Sequence, residues 1–298
     1  MKWQGVIPAI TTPFKPDFSV DADLLVKQVD ALVRAGCTGI VALGSLGEGG
    51  SLSFDEKKAV LRLCREALAG RAPLVAGVAA LTTAEAARLA GLGAEAGCDG
   101  LMVLPPYVYR GDWRETRAHF AAVVAETPLP CMLYNNPIAY GTDVVPEQMV
   151  ELALSLPNLE AVKESSADVR RVTALRTLLG DRLAILVGVD DLVLEAVQAG
   201  ATGWIAGLAD ALPVESVRLF ELAASGRVAE ARLLYDWFLP LLRLDTLPKF
   251  VQMIKLVQQE TGLGSEVVRP PRLALEPDQR QAVLGLVRYA LAHAPTDS

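Results

Sequence analysis

Histidine is nearly missing from this 298-residue chain, where only His119 and His293 occur. A Ser-His-Asp triad or a histidine-ligated metal centre therefore has almost nothing to be built from. Cysteine is scarce too. Cys37, Cys64, Cys98 and Cys131 form no Cys-x-x-Cys pair, and each lies in an apolar segment. They read as small core residues in a reducing compartment rather than as disulfides or metal ligands. Positive charge is in deficit, with 28 Lys and Arg against 35 Asp and Glu for a formal net charge of −7. That balance argues against a nucleic-acid partner or a basic membrane patch. No apolar run reaches membrane-spanning length, and the N-terminus lacks the basic–apolar–small order of a signal peptide. A cytoplasmic location is the expectation. Apolar residues are plentiful at 52%, with 21% charged, which supplies a large core and none of the composition of disorder.

The apolar material is arranged in alternation. Val6–Ile10, Gly39–Leu43, Leu74–Val78, Gly100–Leu104, Cys131–Tyr134, Leu159–Lys163, Ala184–Val187 and Gly203–Ala206 read as short buried strands. Each is followed by a segment with helical spacing, such as Asp21 to Ala35 with Leu24, Leu25, Val29, Leu32 and Val33. Ser53-Phe54-Asp55-Glu56 predicts a capping box, and Thr82–Glu85 and Asp112–Glu115 occupy the same place before later helices. Ala35-Gly36-Cys37-Thr38-Gly39, Ala96-Gly97-Cys98-Asp99-Gly100 and Ala199-Gly200-Ala201-Thr202-Gly203 repeat one phrase at the helix-to-strand joint. Its first glycine suits a left-handed helix C-cap. Repetition of one βα unit predicts a parallel sheet, and eight units close as a (β/α)8 TIM barrel. An open doubly wound sheet is the alternative, but no Gly-x-Gly-x-x-Gly follows the first strand. After Pro213 only helical segments remain, Val214–Ala224, Val228–Leu244, Lys249–Thr261 and Asp278–Ala292. The expected organisation is a barrel over residues 1–224 and an appended C-terminal helical region over 225–298, packed on the barrel.

One residue stands out against this pattern. Lys163 ends the sixth apolar strand, and no other lysine occurs between Lys58 and Lys249. Burial there would lower its pKa and favour the neutral amine, the nucleophile that forms Schiff bases with carbonyl compounds. The plainer alternative is a strand-end lysine reaching to solvent.

Working residues of a barrel lie at the carboxyl ends of its strands. Those ends carry Thr11-Thr12-Pro13, Gly44–Glu48, Pro105-Pro106-Tyr107, Tyr134-Asn135-Asn136-Pro137, Lys163-Glu164, Gly188–Asp191 and Ile205. Gly-Ser-x-Gly-Glu at Gly44, Tyr-Asn-x-Pro at Tyr134 and Val-Lys-Glu-Ser at Val162 occur in that order, after an opening Gly-Val-x-x-Ala-x-Thr-Thr-Pro-Phe. In these motifs the chain resembles the dihydrodipicolinate synthase/N-acetylneuraminate lyase superfamily, over its whole length.

The resemblance implies a class I, Schiff-base-forming lyase acting on a small 2-oxo acid without a cofactor or metal. It implies that Lys163 forms an imine at C2 and that Tyr134 moves protons. Ser45 would supply a hydroxyl, and the Ser45 and Leu46 N–H groups would hold the substrate carboxylate. Gly188 and Ile205 would face the acid through their backbones, and Glu48 would anchor the loop. Read singly, Tyr134 is an ordinary core tyrosine and Gly44–Gly50 a plain loop or a weak phosphate cradle. The resemblance further implies a homotetramer, a dimer of dimers, in which a tyrosine near Val108, Tyr107 or Tyr109, enters a neighbouring site.

Departures from the lysine-pathway members narrow the expectation. Those enzymes carry two threonines where this chain has Ser45-Leu46, and an arginine where it has Ala139 within Ile138-Ala139-Tyr140. Leu46 is then expected to put an apolar surface against the site, with Arg110 or another residue outside the motifs left to supply the charge in place of the arginine. Dehydration, deamination or retro-aldol cleavage of a hydroxylated 2-oxo acid or its cyclic imine fits better than condensation of pyruvate with aspartate semialdehyde. A non-catalytic 2-oxo-acid-binding regulatory protein is the reading from another class, and the Lys163/Tyr134 pair argues against it.

Overall fold

Eight parallel strands form the centre of the computed structural model, which describes residues 1–295. They are β1 (Gly5–Pro8), β2 (Ile40–Ala42), β3 (Leu74–Val78), β4 (Gly100–Val103), β5 (Cys131–Asn135), β6 (Leu159–Glu164), β7 (Ala184–Val187) and β8 (Gly203–Ala206). The sheet runs β1-β8-β7-β6-β5-β4-β3-β2, and a parallel bridge between Ala9 and Val41 brings its two edges together. The result is the (β/α)8 barrel, with three further helices, Val228–Leu242, Phe250–Glu260 and Pro277–Ala292, after the eighth unit. No helix of the described residues is long and apolar enough to cross a membrane.

Local chemistry punctuates the units as the sequence reading expects. Ser53 and Asp112 each close a capping box with the glutamate three residues on, and Thr82 accepts from the Glu85 N–H at 3.2 Å. Gly36, Gly97 and Gly200 all take positive φ, at 96°, 73° and 108°, so the three repeated phrases end their helices in the left-handed conformation that glycine tolerates best. The four cysteines are buried free thiols.

Strand alternation divides the core into two layers. Val6, Ile40, Leu74, Leu101, Leu133, Val162, Ile185 and Trp204 face outward to the helices. Ile7, Val41, Val75, Met102, Met132, Ala161, Leu186 and Ile205 fill the lumen. With a period of two, the residue after Val162 must point inward. That residue is Lys163.

The tail is joined to the second βα loop by a buried ion pair. Lys255 Nζ, on the helix Phe250–Glu260, lies 2.7 Å from Glu48 Oε1, and both side chains are fully buried. The second Glu48 oxygen accepts from the Arg269 N–H at 3.0 Å, and Lys255 also donates to the Val267 carbonyl at 2.7 Å. Removing one member of such a pair strands the other in a low dielectric. Glu48→Gln should therefore cost on the order of 3–5 kcal/mol of stability in denaturant titrations. Burial holds the Lys255 amine down at about 8 against an ordinary 10.5. The unfolded chain then binds that proton more tightly, so stability linked to Lys255 is lowest below pH 8 and rises toward 10.5. Wild type should gain on Lys255→Met over that interval; a constant difference would contradict the burial cost.

Candidate active site

The two inward-facing polar residues of the lumen stand side by side. Tyr134 and Lys163 are register partners across β5 and β6, with exposures of only 5% and 6%. Lys163 Nζ sits 4.1 Å from the centre of the Tyr134 ring, close enough for the π-face to favour its charged form. Burial works the other way and is the larger influence, holding the amine below its ordinary value. Asp245, Tyr140 and Asp190 pull it back up. Burial also raises the Tyr134 phenol, whose oxygen accepts from Asn136 Nδ2 at 3.1 Å.

The residues that follow Tyr134 and Lys163 face outward and hold the two strands in place. Asn135 and Glu164 are again register partners, and Asn135 Nδ2 donates to Glu164 Oε2 at 3.2 Å. Asn135 Oδ1 takes the Val144 N–H at 2.9 Å, and Glu164 Oε1 takes the Ser166 N–H at 2.6 Å. Tyr-Asn and Lys-Glu thus each spend one residue on the lumen and one on a buried brace.

A second tyrosine completes the group. Asn136 caps the short helical turn Pro137–Tyr140 by accepting the Ala139 N–H at 2.9 Å. This turn swings the Tyr140 ring edge-on against Tyr134, with centroids 5.7 Å apart at 84°. The Tyr140 hydroxyl shares a short hydrogen bond with Ser45 Oγ. Hydroxyls of Ser45, Tyr140 and Tyr134 therefore line one side of the mouth. Tyr107 lies behind Tyr140 at 6.2 Å, whereas Tyr109 is exposed and donates to Glu115 on the rim at 3.1 Å.

The loop after β2 is firmly packed. Thr12 donates to the Gly47 carbonyl at 2.6 Å, and Glu48 and Gly49 turn back onto Ser45 and Gly44. The N–H groups of Ser45 and Leu46 have no acceptor among the described residues, which leaves a turn with two free donors, a small anion cradle. The Leu46 side chain is buried with the outer layer of the core. Ile138 is 73% exposed and Ala139 is exposed as well, and the exposed Arg110 packs over Gly141 on the rim.

At the far side of the mouth, Gly188 gives Lys163 its room, since a Cβ there would fall 2.7 Å from Lys163 Cγ. Ile205 lies in the lumen layer. Asp190 ties the last two loops together by accepting from Trp204 Nε1 at 2.8 Å and from the Gly207 and Leu208 N–H groups at 3.1 and 2.7 Å. Three groups escaped the sequence reading: Tyr140, the buried Ser165 Oγ, which has no hydrogen-bond partner among the described residues, and Asp245 from the tail. Tyr140 had a signal, being three residues past Pro137 on the Tyr-Asn-x-Pro turn; Asp245 had none.

A family model described as the dihydrodipicolinate synthetase family matches residues 2–290. A 4-hydroxy-tetrahydrodipicolinate synthase of Rhizobium meliloti (strain 1021) is 35% identical, covering 97% of this chain and 98% of that protein. Among solved structures, a dihydrodipicolinate synthase from Acinetobacter baumannii, complexed with pyruvate, superposes with a TM-score of 0.93 at 28% identity, over 97% and 99% of the two chains. A prophage protein of the dihydrodipicolinic acid synthase family from E. coli K12, also in complex with pyruvate, gives 0.92 at 28% identity over 98% and 99%.

The electrostatics of Lys163 predict a pH profile. Its neutral amine reacts, so reactivity toward a carbonyl rises with pH through the folded pKa, and a depressed pKa brings that rise to lower pH. With pyruvate as the carbonyl and borohydride as the trap, the midpoint should lie below 10.5. In Asp245→Asn it should move lower still, because a charge that favours the ammonium is gone. A midpoint at 10.5 in both proteins would contradict the buried-amine description.

Proposed function

The chain belongs to the dihydrodipicolinate synthetase family, and from that membership we propose that it is a Schiff-base lyase acting on a hydroxylated 2-oxo acid or its cyclic imine. Lys163 is the imine-forming residue, and the observation that carries this assignment is its buried amine over the Tyr134 ring in the lumen. Nζ adds to C2, and the carbonyl oxygen leaves as water after protonation by the Tyr134 phenol. Ser45 and Tyr140 supply the hydroxyls through which that proton is replaced. The free N–H groups of Ser45 and Leu46 hold the substrate carboxylate.

From the protonated imine, loss of a C3 proton gives the enamine. Its electrons close a C3–C4 double bond as the C4–O bond breaks, and the hydroxyl takes a proton to depart as water; from a cyclic imine, Nζ first displaces the ring nitrogen from C2, leaving it as an amine on C5. Hydrolysis of the resulting imine frees Lys163. A carboxylate on the substrate tail would need a cation for its desolvation, and the tail side of the mouth offers Ala139 and the rim residue Arg110 instead of a buried arginine. The names of the curated relatives favour a second reading, 4-hydroxy-tetrahydrodipicolinate synthase.

Initial rates separate the two. Single-carboxylate hydroxy-2-oxo acids of five or six carbons should turn over faster than pyruvate with aspartate semialdehyde, and Lys163→Arg should turn over neither. A clear excess of the condensation rate would establish the second reading in place of the first.

We propose further that the chain works as a homotetramer in the cytoplasm. Val108 and Ile138 stand 72% and 73% exposed near Tyr107 on the rim, an apolar area that a second copy would cover. Light scattering at micromolar concentration should give four chains; one chain would refute the assembly.

A further inference from the structure

Among the carboxylates gathered near the barrel mouth, one has no partner. Asp190 accepts three N–H groups, Asp210 accepts the Thr11 N–H at 3.0 Å, Glu164 is braced by Asn135 and Ser166, and Glu48 is paired with Lys255. Asp245 has no hydrogen bond and no ion pair among the described residues, although it is half-buried.

Its position is built. The turn Arg243–Thr246 follows the tail helix Val228–Leu242. Arg243 Nε reaches Asp191 Oδ2 at 3.6 Å, Tyr235 donates to the Asp191 carbonyl, and Leu244 is buried. These contacts direct the Asp245 carboxylate onto Gly207, just past the end of β8, where a Cβ would come within 2.6 Å of Asp245 Cγ. Gly207 itself has φ −91° and ψ −52°, a conformation open to any residue. What a side chain there would collide with is the Asp245 carboxylate. Gly207 follows β8 at its carboxyl end, and its N–H is held by Asp190, so the Asp245 carboxylate stands at the barrel mouth.

We propose that Asp245 reads the substrate tail: its carboxyl takes a hydrogen bond from a hydroxyl or amino group on the carbons beyond C2, favouring a hydroxylated 2-oxo acid over an alkyl one of equal length. The inference rests on the Schiff-base reading above and adds a selectivity residue from outside the strand-end motifs. A half-buried carboxylate without a donor is a standing cost that a substrate hydroxyl relieves and a methylene does not. Either protonation state serves, since the ionised carboxylate accepts from a hydroxyl and the acid form both accepts and donates.

The test is reductive trapping by borohydride of the full-length protein with a matched pair, 2-oxopentanoate and 5-hydroxy-2-oxopentanoate, read as the acid concentration giving half-maximal adduct. Wild type should half-saturate at a concentration at least about tenfold lower for the hydroxylated acid, the scale of a hydrogen bond to a charged group. Asp245→Ala should bring the ratio to about one. Gly207→Ala, which keeps the Asp245 side chain but displaces its carboxylate, should do the same, and Asp245→Asn should keep part of the preference. An unchanged ratio in the first two variants overturns the inference, as does an equal loss for both acids, which would make Asp245 a counter-charge to the Lys163 iminium. Absence of any adduct in wild type, with pyruvate as well, sinks the Schiff-base reading along with the inference.

Discussion

A lysine amine confined to an apolar barrel lumen beside a tyrosine ring is the constraint on which the site depends. A charged amine there is expensive, a neutral one is a nucleophile, and the barrel leaves no third choice because alternation turns Lys163 inward. Everything nearby moderates that cost. Tyr134 offers its π-face, Gly188 clears the space along the lysine stem, and Asp190 and Asp245 supply negative potential from the loops beyond. None of these lies within hydrogen-bond reach of Nζ in a described contact, so the amine is tuned without being tied up.

Rigidity comes from the neighbours of the reactive residues. Asn135 and Glu164 bond to each other outside the barrel, and Asp143, which Asn135 also reaches at 3.2 Å, takes a bidentate grip from Arg171 at 2.6 and 2.8 Å. The loop bearing Ser45 is braced by Thr12 from the β1 loop and, through Glu48, by Lys255 and Arg269 from the tail. The helices after the eighth unit therefore reach the chemistry twice, through Glu48 beneath the Ser45 turn and through Asp245 beside Gly207.

What was legible in the sequence, and what was not, follows from range. The strands, the caps at Ser53 and Asp112 and the glycine joints at Gly36, Gly97 and Gly200 are set by interactions within a few residues, and the eightfold unit follows from their repetition. Lys163 stood out as the one lysine between Lys58 and Lys249, set at the end of an apolar strand, whereas Tyr134 was singled out only through the Tyr-Asn-x-Pro motif of the resemblance. Tyr140 was passed over because the turn was read for the arginine missing at Ala139 and not for the ring beside it. Asp245 lies far along the chain from Gly207, and only tertiary packing of the tail brings the two together.

The account stands on Lys163 as the residue that carries the imine. Peptide mapping of the protein reduced with borohydride in the presence of pyruvate tests this directly. The account predicts one reduced adduct per chain, on the peptide containing Lys163, and none when the same treatment is given to Lys163→Ala. An adduct on another lysine, Lys255 included, or an adduct that survives in Lys163→Ala, would contradict it.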